Sequence, residues 1–275
     1  MAVLRDSVAV FGVLFLTLDS AGAVDLAAHR AIYDMSLVKA SRSSDVSAME
    51  GEMYLEWADA CDGWTVNQKV HMVSQLRDGP SVENHFNFSS WESYDGLRFR
   101  FAMRSLNMGD PVEQVAGSAY IRGAGKDGHV QFSVPEGSEL ELPAGTMFPS
   151  SHLIMLVEQA MAGAHHFERT VFSGSGTDSL NPVSVFIGNP IPGDERLPQQ
   201  VHEGKRQPFA GLVGHKSWPV GLAYYPIDSH SAEPEFEVDY RLFDHGVASD
   251  LTLNYGDFVL SAVLEELELL PKPDC

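Results

Sequence analysis

Cysteine is scarce: the 275 residues hold two, Cys61 and the terminal Cys275. A structural zinc knuckle draws on four closely spaced ligands, so two distant thiols do not make one. Eleven histidines do not fill the gap at the level of spacing. No His-x-x-x-His or His-Glu-x-x-His pair occurs, and His165 and His166, adjacent on a strand, would face opposite sides. No metal site is predicted. Phosphate loops and dinucleotide fingerprints are also missing, so no cofactor is expected. Gly174-Ser175-Gly176 lacks the flanking residues of a nucleophile elbow and reads as a turn. Basic residues are few, 18 against 38 acidic ones, for a net charge of -20. Phosphates would be repelled by such a surface, which argues against nucleic acid and anionic lipid as partners. The acids themselves are too many for a pair to stand out. Glu50, Glu52 and Glu56 share the outward face of one strand and are solvated there rather than placed for glycoside chemistry.

Residues 1–23 have the pattern of a secretory signal. Arg5 provides a small positive region, Val8 to Leu18 an apolar run, and Asp19 to Ala23 the small residues of a cleavage site. That run falls short of the about 20 residues that cross a bilayer, and no other stretch is longer. Export would place both thiols in an oxidising space, where a two-cysteine chain most simply forms one disulfide. The alternative is two unrelated thiols, one buried and one on a frayed tail. A bridge would close a loop of nearly the whole chain. It would clamp the final strand, read as an edge, against the strand that starts at Gly63.

What the remainder does contain is alternation. Met53, Leu55 and Trp57 oppose Glu50, Glu52 and Glu56; Trp64, Val66, Val70 and Met72 oppose Thr65, Asn67, Lys69 and His71. Leu97, Phe99, Phe101 and Met103 oppose Arg98, Arg100 and Arg104. Period two marks half-buried strands, and turns punctuate them at Asp95-Gly96, Lys126-Asp127-Gly128 and Asp244-His245-Gly246. Gly117 and Ala119 leave one face small, suited to a bend or a close approach. Helical spacing occurs once, at Leu153, Leu156, Val157, Ala160 and Met161, with Ser150 or Ser151 as the expected cap and Gly163 as the stop. The fold predicted is all-β: residues 24–275 form one domain, a large curved antiparallel sheet (a β-spiral or partly closed barrel). One α-helix lies in its concave side. The helix is expected to plug the sheet, or alternatively to line an apolar groove with those five residues. The arginine row and the Pro-rich loop 188–208 depart from the local composition and are read together as a partner surface.

Six short segments, in order along the chain, carry a resemblance. They are Ala28 to Tyr33, Cys61-Asp62-Gly63-Trp64, Gly145 to Pro149, Ser217 to Val220, Asn254 to Phe258, and Leu270 to Cys275. With them the chain resembles the cell-envelope integrity protein B (EipB) family of periplasmic proteins. The resemblance implies strands spiralling around a central helix, a disulfide between the positions of Cys61 and Cys275, and no catalytic residues. The function expected is a non-enzymatic periplasmic factor that supports envelope integrity by binding a periplasmic or outer-membrane envelope protein. A carrier of acyl chains or lipoproteins is the alternative, and an envelope hydrolase without a recognisable motif the competing class.

Overall fold

Alternating segments can bury one face only by pairing side by side, and here they pair without interruption. A computed structural model of the protein describes residues 24–193, 209–227 and 232–275. The expected leader, 1–23, and residues 194–208 of the Pro-rich loop lie outside the described residues. The strands are β1 (His29–Ala40), β2 (Val46–Asp59), β3 (Gly63–Leu76), β4 (Ser81–Ser93), β5 (Arg98–Asn107), β6 (Asp110–Ile121), β7 (Gly128–Val134) and β8 (Glu139–Leu142). After α1 (Pro149–Met161), the one helix among the described residues, come β9 (His166–Phe172), β10 (Leu180–Ile187), β11 (Ser217–Tyr224), β12 (Phe236–Phe243), β13 (Ala248–Asn254) and β14 (Phe258–Leu269).

All of these strands form one antiparallel sheet in the order β8-β7-β6-β5-β4-β3-β2-β1-β14-β13-β12-β11-β10-β9. Every neighbour in space is a neighbour in sequence except at β1 and β14, which pair from His29 opposite Leu269 to Ala40 opposite Phe258. Two meanders, β1 to β8 and β9 to β14, are thus joined along their outer members. The remaining ends, β8 and β9, do not pair with each other, and a seam lies between them. Met147 bridges it: its N–H donates to the Thr170 carbonyl at 2.9 Å, and its own carbonyl accepts from the Phe172 N–H at 3.0 Å. The sheet is a nearly closed barrel, which leaves little open edge for other chains to pair with.

Inward side chains fill the barrel in three clusters. Around β5 to β7 an aromatic group dominates: Phe99 stacks on Phe148 at 4.9 Å, and Phe101 meets Phe132 and Phe172 edge-on at 5.8 and 5.4 Å. Each such pair adds about 0.5–1.5 kcal/mol to the burial itself. The close approach expected at Gly117 is that of the Gln131 carbonyl of β7 and the Phe101 ring, whose O and Cζ would lie 2.5 and 2.9 Å from a Cβ there.

Leu156, Val157 and Ala160 of α1 are buried against β9 to β12. Leu153 packs at the margin of that cluster, whereas Met161 is 56% exposed and does not belong to it. The helix ends at Gly163, whose φ of +79° suits a residue without a side chain. Its start differs from expectation. Phe148 is the N-cap and makes no side-chain cap bond; Ser150 and Ser151 lie inside the first turn, after Pro149. Their N–H groups are capped from across the barrel by the Glu92 carboxylate of β4, at 2.7 and 2.8 Å, and the Ser151 hydroxyl also donates to it. Trp57 of β2 donates to the Ser150 hydroxyl at 3.4 Å. A helix N-terminus draws a negative group, and the sheet supplies one.

Cys61 and Cys275 form a disulfide, with their Cα atoms 5.7 Å apart. Cys61 sits in the β2–β3 turn at φ +67°, in the left-handed region unfavourable to side chains; its N–H donates to the Asp59 carboxylate at 2.8 Å. The tail reaches this turn over the N-terminal segment, with Leu270 N–H on the Ala28 carbonyl and Lys272 on Asp25. One expectation fails here. β14 is not the edge strand of the sheet, since it pairs with β1 along its length and with β13 over Val259–Ala262; beyond Ala262 β1 alone holds it, and the bridge ties down the tail that follows.

Candidate functional site

Outward positions of β3 to β6 build a surface unlike the rest of this acidic chain. Strand pairing sets Lys69, Asn87, Arg104 and Gln114 in one row across four strands. Asn67, Ser89, Ala102 and Ala116 form the next row, and Thr65, Trp91, Arg100 and Ser118 the one after. Arg98 follows opposite Tyr120. Four cations therefore lie on one outer face, with amide and hydroxyl side chains between them. Strands about 4.8 Å apart make this patch roughly 14 Å wide. A shallow depression of 310 Å³ lies among Asn67, Lys69, Asn87, Ser89, Arg104 and Gln114.

Arg98, Arg100 and Arg104 are exposed, and among the described residues none forms an ion pair with a carboxylate. Arg100 lies over the Trp91 ring at 4.3 Å, and the Trp91 indole donates to Asp62 at 2.9 Å. Asp95 is near enough to Arg98 to have its pKa lowered by it, but larger effects come from the Ser93 hydroxyl and the Leu97 N–H that bond its carboxylate. On the far border Glu56 takes hydrogen bonds from Arg30, Tyr54 and Asn67 at 2.5, 3.0 and 3.3 Å. The Arg30 bond is the main reason its carboxyl titrates below the usual range. The neighbouring acids are committed elsewhere.

The described part of the Pro-rich loop, residues 188–193, does not join this face. That part runs along β11, with Ile191 bridging Ser217, and β11 is eight strands from β5 along the sheet and six by way of the β8 and β9 ends. Nor do the five helix residues line a groove together. The large cavity beside α1, 1020 Å³, meets the helix at Ser151 and Met155; Leu97, Met147, Thr170 and Tyr225 form other parts of its wall. It opens at the seam between the two sheet ends and mixes apolar wall with Asp95, Glu168 and Arg169.

Side chains able to hold a metal do converge, although no local spacing announced them. His71 and His85 face each other across β3 and β4 with rings stacked at 4.7 Å, and one oxygen of Glu83 lies 2.8 and 3.1 Å from their Nε2 atoms. His215, Asp244 and His245 form a second group. Cross-strand register and a turn assemble these sets, which a search by sequence spacing passes over. Lys69 was missed for the same reason: it joins the arginines through register alone.

Sequence and structure comparisons agree with this architecture. The EipB-like family pattern matches residues 20–271. The chain belongs to the EipB-like family. It is 29% identical over 255 residues to the cell envelope integrity protein EipB of Brucella abortus (strain 2308), covering 91% of this chain and 86% of that protein. Its fold is that of a crystal structure of a beta-barrel-like protein of a domain of unknown function, DUF1849, also from Brucella abortus. The TM-score is 0.80 at 27% identity, over 90% of this chain and all of the other.

Proposed function

We propose that this EipB-like chain is a non-enzymatic periplasmic protein that supports envelope integrity by holding another envelope component against the outer face of β3 to β6. The observation that carries the reading is the arginine row. Arg98, Arg100 and Arg104 stand without carboxylate partners on a chain of net charge -20. Like charges gathered on a sheet face repel one another, so an unpaired cluster is better explained by a partner than by folding. The partner would be an envelope protein or lipoprotein presenting carboxylates. The leader pattern in residues 1–23 supports the compartment, and the name of the Brucella relative supports the process.

Crosslinking in cells, followed by identification of the captured protein, tests this. Arg98→Glu, Arg100→Glu and Arg104→Glu together should reduce capture by about tenfold or more, as charge reversal at an interface does. The melting temperature should stay within a few degrees, because the side chains are exposed. A large loss of stability with capture unchanged would return the row to an intramolecular role. The 1020 Å³ cavity favours the carrier reading as the second choice. Saturable binding of an apolar probe, one per chain and blocked by Met155→Arg, would support it. Turnover of peptidoglycan or ester substrates, abolished by a single substitution, would overturn both.

A further inference from the structure

His245, in the turn between β12 and β13, is 6% exposed. Its Nε2 lies 2.8 Å from the Gly211 carbonyl, a partner that can only accept, so Nε2 carries the ring proton. That leaves Nδ1 a lone pair, and this atom is buried with no hydrogen-bond partner among the described residues. A buried acceptor left unmet is destabilising. The same arrangement is typical of a metal-ligating histidine, whose second nitrogen donates to a backbone carbonyl and so fixes the tautomer.

Two further ligands stand beside it. The Asp244 carboxylate has one oxygen 2.6 Å from the His215 Nδ1, and its other oxygen accepts the Lys216 N–H at 3.1 Å. The Asp244 N–H in turn donates to the Lys216 carbonyl at 2.9 Å, which holds the turn against the segment before β11. The His215 and His245 rings stack at 4.0 Å. One ligand atom from each of the three residues lies within 4.8 Å of the other two. Metal bonds of about 2.0–2.2 Å set ligands about 3.3 Å apart in a tetrahedron. A modest turn of His215, whose side chain is 38% exposed, would close the difference.

We propose that His215, Asp244 and His245 form a divalent-metal site, with zinc as the ion its ligands suit best. Two neutral imidazoles and one carboxylate are a common zinc set and leave a fourth position for water on the exposed side of His215 and Asp244. Bound metal would staple the segment 209–216 to the β12–β13 turn. The His71–Glu83–His85 group is the weaker candidate. It is solvent-exposed, and Glu83 already engages both of its inward nitrogens.

The test is calorimetric titration of zinc into metal-stripped, tag-free full-length protein. One equivalent should bind with a Kd of about 1 µM or tighter, the scale of a dedicated site. His245→Gln and His215→Ala should each weaken binding about a hundredfold, and the double variant His71→Gln, His85→Gln should not. Cobalt added in place of zinc should give a tetrahedral visible spectrum that the His215→Ala variant loses. His215 is partly exposed, so this variant is read at the wild-type metal-free melting temperature. Binding that survives in His215→Ala and vanishes in the His71, His85 variant would overturn the proposal. So would the absence of binding at 100-fold excess metal over that Kd.

Discussion

His152 shows how one side chain can set a response to acid. It lies in the first turn of α1, 6% exposed, and its Nε2 is buried without a hydrogen-bond partner among the described residues. Phe167 packs against the ring at 5.8 Å. Burial, with a smaller contribution from the Arg169 charge, pushes its pKa down to about 4. Between about 4 and the ordinary value near 6.5 the unfolded chain binds a proton that the folded chain refuses. Stability from this group is therefore fully present above 6.5 and lost as pH falls through about 4, in total about 3 kcal/mol. Urea unfolding at pH 7 and pH 5 should show about 2 kcal/mol less loss in His152→Leu than in wild type. An identical loss in both would assign the acid sensitivity elsewhere. His29, whose pKa burial also lowers, should leave a residual slope in the variant.

At the scale of elements, α1 depends on a strand far from it in sequence. Glu92 is 1% exposed and meets the first N–H groups of the helix. Burial pushes its carboxyl up, and the bonds from Ser151 and Ser150 pull it back. Glu92→Ala would leave two buried donors unmet, and chemical unfolding should show a loss of about 2–4 kcal/mol. Glu92→Gln, which keeps one oxygen, should fall between Ala and wild type. A Glu92→Ala protein as stable as wild type would mean that water caps the helix equally well. The same contact explains what the sequence left hidden. Alternation in β5 is visible because successive residues face opposite ways, and Phe99 and Arg100 could be assigned their faces directly. The helix register was equally readable from Leu153 to Ala160. The cap was not, because two serines beside a helix start look like local caps until a carboxylate arrives from β4. The four-residue β8 carries too few residues to show a period. The His215, Asp244 and His245 group depends on where a turn lands against another segment, which no spacing encodes.

For the whole molecule, the disulfide acts on a loop of 214 residues. Chain entropy gives roughly 5 kcal/mol for a closure of that length, an upper bound since unfolded chains retain structure. Cys61→Ser and Cys275→Ser should each destabilise, and the double variant should match either one. Because β1 pairs with β14 from Phe258 to Leu269 and β13 adds a second side over Val259–Ala262, the loss should come from global unfolding. Hydrogen exchange in the reduced protein should stay cooperative across β14 and speed up locally only beyond residue 269. Equal thermal stability of oxidised and reduced protein would remove the cross-link from the account. Equating the last strand with an edge was reasonable from order along the chain, since a meander ends in one. The pairing of its two outermost strands is a long-range event and leaves no mark in either strand's own pattern.

That pairing of β1 with β14 gives the barrel a keystone, and the keystone is made last. As the polypeptide emerges, β1 can zip to β2 and the meander can grow to β8, but the free side of β1 waits for a strand beginning more than 200 residues later. Contacts so distant in sequence are slow to form. Until they do, β1 offers an open ladder of N–H and C=O groups to any other chain. The half-made protein is thus most vulnerable at its first strand, and every copy carries its cure at the opposite end.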